Sequence, residues 1–146
     1  MSKKYEKQSA ELLRNYWLSR KMNYSKEYSL DYVKNGHGKE LVKEKFFAAV
    51  EGEKVIGTMS VIVWEGQLAE LRDFVVKEEY RGKGIGELLF KEVEKWCKKN
   101  KIRKIMALIF PPRLEFFMKH GYVQEGYLRS HYADGEDLIV IGKILK

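Results

Sequence analysis

A β-type run ending at Val76 passes through Lys77-Glu78-Glu79-Tyr80-Arg81-Gly82-Lys83-Gly84-Ile85-Gly86 straight into a strongly patterned helix over 85–100. Glycines at 82, 84 and 86 permit the positive φ that so tight a strand-to-helix turn requires. The first N–H groups of the helix then lack intrahelical partners and converge at the positive end of its dipole. Such a turn is a backbone anion site, and Arg81 and Lys83 add side-chain charge to it. A dinucleotide fingerprint would need glycine at 87, where the chain has Glu87, and it would need a βαβ opening. A P-loop would need a terminal Gly-Lys-Ser/Thr, which the segment lacks. The spacing that remains is Arg-x-x-Gly-x-Gly, at Arg81, Gly84 and Gly86.

The flanking periodicities place that turn in a larger frame. Residues 4–21 read as an amphipathic helix through Leu12, Leu13, Tyr16 and Trp17, and 25–35 as a second, capped by Ser25 and closed by Gly36. Strands are predicted at 46–50, 55–63 and 68–76, with turns at Glu51-Gly52-Glu53-Lys54 and Glu65-Gly66. The helix after the glycines presents Ile85, Leu88, Leu89, Val93, Trp96 and Cys97 on one face. A buried strand over 102–109, a short helix over 113–120 behind Pro111-Pro112, and strands over 122–128 and 138–145 complete the chain. Hairpins followed by crossovers imply one α/β domain over 1–146, with a mixed, largely antiparallel sheet and helices on both faces.

Composition narrows the class. At 146 residues the chain is long enough for one self-sufficient core, and 45% hydrophobic with 34% charged residues describes an ordinary globule. No apolar run reaches bilayer length and the first residues lack a secretory pattern, so a cytoplasmic protein with no membrane contact is expected. One cysteine and three scattered histidines (His37, His120, His131) give no metal-ligand spacing, so no metal is expected. The net charge of +7 is uneven: residues 81–104 hold nine cations against three acids, and 46–80 three against seven. A positive field there suits a phosphate-rich cofactor or a solvated lysine face. For nucleic acid the chain has no recognised reading motif and no aromatic stripe among the lysines.

The stretch Leu71-x-x-Phe74-x-Val76-x-x-Glu79-Tyr80-Arg81-Gly82-Lys83-Gly84-Ile85-Gly86 closely resembles the acetyl-CoA motif of the GNAT superfamily of N-acetyltransferases. Phe116-Phe117-Met118-Lys119-His120-Gly121-Tyr122 is similar to a later helix of that family, and the likeness runs from about Phe46 onward. The resemblance implies acetyl-CoA as co-substrate, with its pyrophosphate on Arg81, Gly82, Lys83, Gly84, Ile85 and Gly86. It implies that the pantetheine arm lies along Phe74, Val75 and Val76, and that the strands at 68–76 and 102–109 splay apart to admit it. It also puts Phe117 at the cofactor, where the family often has a tyrosine acid, and Phe110 where it often has asparagine.

The activity so implied is direct acetyl transfer to a primary amine. Glu70, in Leu68-Ala69-Glu70-Leu71, corresponds to a base glutamate of some members, and would act through water. Asp73 is the second candidate, and Arg72 could pair with either acid. Alternation places Glu70 on one strand face with Leu68, Arg72 and Phe74, toward the cleft. The Val76 N–H would polarise the thioester carbonyl. Tyr122, with Tyr127 and Tyr132 as alternatives, is the expected acid, whereas His120 and His131 read as structural or solvated. Arg129-Ser130-His131-Tyr132 with Glu136-Asp137 loosely resembles members that acetylate protein N-termini, its acids suiting a cationic amine. Small amines, amino acids, lysine side chains and antibiotics stay open as acceptors, as does a homodimer. The alternative is an acyl-CoA-binding regulatory domain without turnover.

Overall fold

A computed structural model of the chain describes residues 2–36, 43–64 and 67–146. The turn expected at Glu65-Gly66, and His37, lie outside the described residues. Helices α1 (Lys3–Ser19) and α2 (Lys26–Asn35) come first, then strands β1 (Lys43–Glu51), β2 (Lys54–Trp64) and β3 (Leu68–Val76). A short 3₁₀ turn at Glu78–Tyr80 leads to α3 (Ile85–Lys99), β4 (Lys104–Ile109), α4 (Leu114–Lys119), β5 (Val123–Leu128) and β6 (Leu138–Ile144).

The six strands make one mixed sheet in the order β1-β2-β3-β4-β6-β5, antiparallel throughout except between β3 and β4. That parallel contact is short: Leu68 pairs with Lys104, Ala69 with Ile105 and Glu70 with Met106, after which the strands part. The splay therefore opens at Glu70, and the last six residues of β3 have no ladder on that side.

The larger core lies between the sheet and α3/α4, around Met59, Leu71, Leu89, Phe90, Val93, Ile105 and Phe117. A second cluster packs Ala10, Leu13 and Trp17 of α1 against Tyr32 and Val33 of α2 and Val75 of β3, on the opposite face. Leu13 and Trp17 are one helical turn apart, which is why a single stripe of α1 meets the sheet. The Ser25 Oγ accepts the Tyr28 N–H at 3.0 Å, a cap that contributes about 1 kcal/mol, and Gly36 ends α2 at a φ of 66°. In α3 the buried stripe is Leu89, Phe90, Val93 and Cys97, while Leu88 is 57% exposed. The expected face was centred too near Leu88: five residues of helix turn it far from Val93, and Phe90 fills the stripe instead. Burial, and then the nearby Glu94 charge, push the Cys97 thiol up to about 12, so it serves as packing.

Candidate functional site

Gly84 caps α3 with φ 81° and ψ 7°, a left-handed conformation that costs any other residue about 1–2 kcal/mol. Gly82 also has positive φ, at 70°. Among the described residues no backbone carbonyl takes the amides of Gly82, Lys83 or Gly84, and the first α3 amides have no intrahelical partner. A Cβ at Gly82 would meet nothing within 4 Å, so the loop is open above its amides. Arg81 folds back, its Nε donating to the Val76 carbonyl at 3.1 Å, and this ties the loop to the end of β3.

The loop forms one wall of a cleft of about 560 Å³. Phe74, Val75 and Val76 of β3 line it, with Tyr80, Arg81, Gly82, Gly84, Ile85 and Gly86. The Lys77 N–H donates to Ile56, so strand alternation turns the peptide groups of Val76 away from β2, to the side that β4 vacates. The opposite wall was not foreseen: Arg113, Phe116, Lys119 and His120 from the α4 region, and Tyr16 from α1. Arg113 donates to the Phe74 carbonyl at 3.3 Å, and the rings of Phe74 and Phe116 stack at 5.7 Å. The His120 Nδ1 lies 2.8 Å from the Phe116 carbonyl and its Nε2 3.5 Å from Glu87. Phe116 and His120 were legible only as one turn of an amphipathic helix, with no sign of which side met the cleft.

Two expected cofactor residues do not line the cleft. Lys83 is absent from the lining, its Nζ lying 5.5 Å from the centre of the Tyr80 ring. Phe117 is 2% exposed and packs on Phe90 at 5.4 Å and Tyr122 at 5.5 Å, so its neighbour Phe116 takes the lining position. Gly86 proves to be a packing glycine. A Cβ there would sit 3.0 Å from ring atoms of both Phe74 and Phe116. Gly86→Leu is therefore expected to lower unfolding free energy by about 1–3 kcal/mol in a urea titration, with a larger loss than for Gly84→Ala.

The candidate acids and bases are divided by a bulge. Gly57 pairs with Val76 and Thr58 with Val75, but Ser60 pairs with Arg72, so β3 carries one extra residue. Asp73 is that residue, with φ 52°. Its Oδ2 accepts the Tyr32 hydroxyl at 2.9 Å and the Ser60 hydroxyl at 2.7 Å. Leu71 and Phe74 consequently both face the α3 core, whereas Val75 joins the α1/α2 cluster. The expectation that Phe74 shares a face with Glu70 and Arg72 is thereby corrected: the bulge flips it. Glu70 stays with Arg72 on the α1/α2 side, at the apex of the splay, where Trp64 Nε1 donates to its Oε2 at 3.0 Å. It is half-buried and outside the lining of the cleft itself.

Tyr122 does not stand at the cleft. It is 2% exposed within the core, and burial, followed by the charge of Glu94, raises its phenol well above the ordinary tyrosine value. A phenol so placed has no route to a leaving group in the cleft. Tyr127 is exposed but donates to the Asp137 carboxylate, and that bond raises its pKa. Tyr132 is 64% exposed and lies within electrostatic reach of Arg72. The acids Glu136 and Asp137 are already engaged, Glu136 by Arg20 at 3.1 Å and Asp137 by Tyr127 and the Ser130 N–H. They are not the free acidic patch that the sequence suggested. Arg20 also lies 4.1 Å over the Phe110 ring, so α1, the end of β4 and the loop after β5 meet there. Among the described residues no group of His, Cys, Asp or Glu comes together as metal ligands, and no helix is long and apolar enough to cross a membrane.

Comparison with known proteins agrees with this geometry. The chain is 33% identical over 86 residues to the beta-lysine N(6)-acetyltransferase of Methanococcus maripaludis, a match covering 58% of this chain and 29% of that protein. It spans about half the length of two other curated relatives it matches. Among solved structures, an aminoglycoside 6'-N-acetyltransferase complexed with coenzyme A superposes with a TM-score of 0.78, at 21% identity, over 95% of this chain and 89% of that one. Ard1 from Thermoplasma volcanium gives 0.79 at 18% identity, over 97% and 93%. These identities speak for the fold. The overall fold is thus shared, and the sequence profile of the acetyltransferase (GNAT) family matches residues 9–122: the chain belongs to that family.

Proposed function

We propose that the protein is an N-acetyltransferase that uses acetyl-CoA to acetylate a primary amine. The observation that carries this reading is the juxtaposition of the β3 edge, which has no strand partner past Glu70, with the free amides of the glycine loop, along one cleft. Its residues fit the cofactor: amides and Arg81 for phosphates, and the strand edge at Phe74 and Val76 for the amide-bearing arm. When bound, acetyl-CoA supplies an acyl group already activated toward amines as a thioester. The Val76 N–H, on the open edge, is placed to polarise a carbonyl there. Glu70 takes the proton of the incoming ammonium through water, and Trp64 fixes the orientation of its carboxylate. Asp73 holds the bulge with Tyr32 and Ser60, which makes it a positioning residue for the cleft edge. Tyr132 replaces Tyr122 as the candidate acid; a thiol of pKa about 8.5 can also depart unassisted.

The relatives named above act on beta-lysine and on aminoglycosides, and both names denote amines. A panel of diamines, amino acids, aminoglycosides and peptide N-termini, read by thiol release from acetyl-CoA, tests the reading. Release dependent on one acceptor class is expected. Tight acetyl-CoA binding with no release from any amine would leave only acyl-CoA binding, and no binding at all would remove the cofactor assignment.

A further inference from the structure

Arg72 is half-buried on β3, yet it makes no hydrogen bond or ion pair with any described residue. Glu70 and Asp73 flank it within electrostatic reach but not within 4.0 Å, and Tyr32 and Tyr132 stand around it. Asp73 gives its nearer bonds to the Tyr32 and Ser60 hydroxyls, and Glu70 accepts from Trp64, so both carboxylates are turned to other partners. A permanently charged, partly desolvated guanidinium without a bidentate acceptor is costly in a folded protein. Alternation from Glu70 keeps Arg72 on the Glu70 face, and the extra residue Asp73 just after it turns Phe74 to the other.

We infer that Arg72 receives the carboxylate of the acceptor, and that the acceptor is a small amino acid carrying a side-chain amine. This rests on the acetyl-transfer reading and deepens it. The planar fork of an arginine matches a carboxylate with two parallel hydrogen bonds. Glu70 stands two residues away on the same strand face, about 6.6 Å along the strand. A carboxylate at Arg72 and an amine at Glu70 therefore belong to opposite ends of a short aliphatic chain. Neither a polypeptide N-terminus, whose own carboxyl is an amide, nor a polyamine sugar supplies the anion that Arg72 lacks.

The test is equilibrium binding by calorimetry to the protein saturated with coenzyme A, using lysine and ornithine against cadaverine and putrescine, which are the same amines without the carboxylate. Each amino acid is expected to bind at least tenfold tighter than its diamine. Arg72→Gln should erase that preference by weakening the amino acid, with the diamine bound equally or better once a positive charge is gone. Arg72→Lys should restore part of it. Equal affinity within each pair in the wild-type protein, no binding of either member, or an equal loss for both in Arg72→Gln would overturn the inference. Unchanged coenzyme A affinity in the variants shows that the fold survives. Failure of the acetyl-transfer reading appears separately, as amino acid binding without thiol release from acetyl-CoA.

Discussion

Replacing Gly84 with glutamate is expected to lower acetyl-CoA affinity by at least about 100-fold while the protein stays folded, because two or more charge-assisted bonds to phosphate, each about 1.5–3 kcal/mol, are lost together. The loss has two origins, and they can be separated. The backbone at Gly84 is left-handed, so any side chain strains the turn by about 1–2 kcal/mol. The space itself is open, since a Cβ there approaches only the Glu87 carboxylate, at 4.0 Å. Gly84→Ala therefore isolates strain, with a small fall in melting temperature and a modest loss of affinity. The glutamate adds a carboxylate at the positive end of α3, where it occupies the same free amides that a phosphate would take. Calorimetric titration of the three proteins gives the comparison, and equal affinity of Gly84→Glu and wild type would show that the phosphates bind elsewhere. Affinity of the wild-type protein should also fall as salt rises, because Arg81 and the loop amides are exposed and their field is screened.

The loop was legible in the sequence because its physics is local. Glycines at 82, 84 and 86, a β-type run before them and an apolar stripe after them leave few backbones to choose from. The helix caps at Ser25 and Gly36, and the order of helices and strands along the chain, were legible on the same grounds. What failed depended on tertiary phase. Strict alternation puts Phe74 beside Glu70, and only an inserted residue reverses that. The hint was an aspartate within an apolar strand, since Asp is among the few residues that tolerate positive φ. Phe116 and Phe117 are adjacent on a helix of six residues, so no periodicity could say which ring meets the cleft and which the core. Tyr122 follows a helix-ending glycine whose φ is 85°, and that turn sends the ring inward against Phe90. Glu136 and Asp137 were visible as charges, but their partners Arg20 and Tyr127 come from other elements. Sequence shows which groups exist, and only the fold shows which are already satisfied.

The second large effect is expected at Glu70. It sits at the last β3–β4 pair, opposite Met106, so its carboxylate lies where the two strands begin to part. Trp64 donates to Oε2, while Oε1 has no hydrogen bond among the described residues and is available to a water or an amine. Asp73, the other acid on this face, is taken up by Tyr32 and Ser60 and is fixed in the bulge. Glu70→Gln preserves shape and the bond from Trp64, and removes only the basic oxygen. It should leave acetyl-CoA affinity and melting temperature unchanged and lower kcat/KM by about 10²–10⁴ at neutral pH, the usual worth of a positioned base. Because the step that fails is removal of a proton from the acceptor ammonium, the deficit should shrink as pH rises and more of the amine arrives neutral. Trp64→Phe should give a smaller loss with the same pH dependence, since it frees the carboxylate to rotate without removing it. Near-normal turnover of Glu70→Gln at pH 7, or a deficit that does not change with pH, would make Glu70 a structural residue of the splay. The base would then have to be sought across the cleft, where His120 lines the wall beside Glu87.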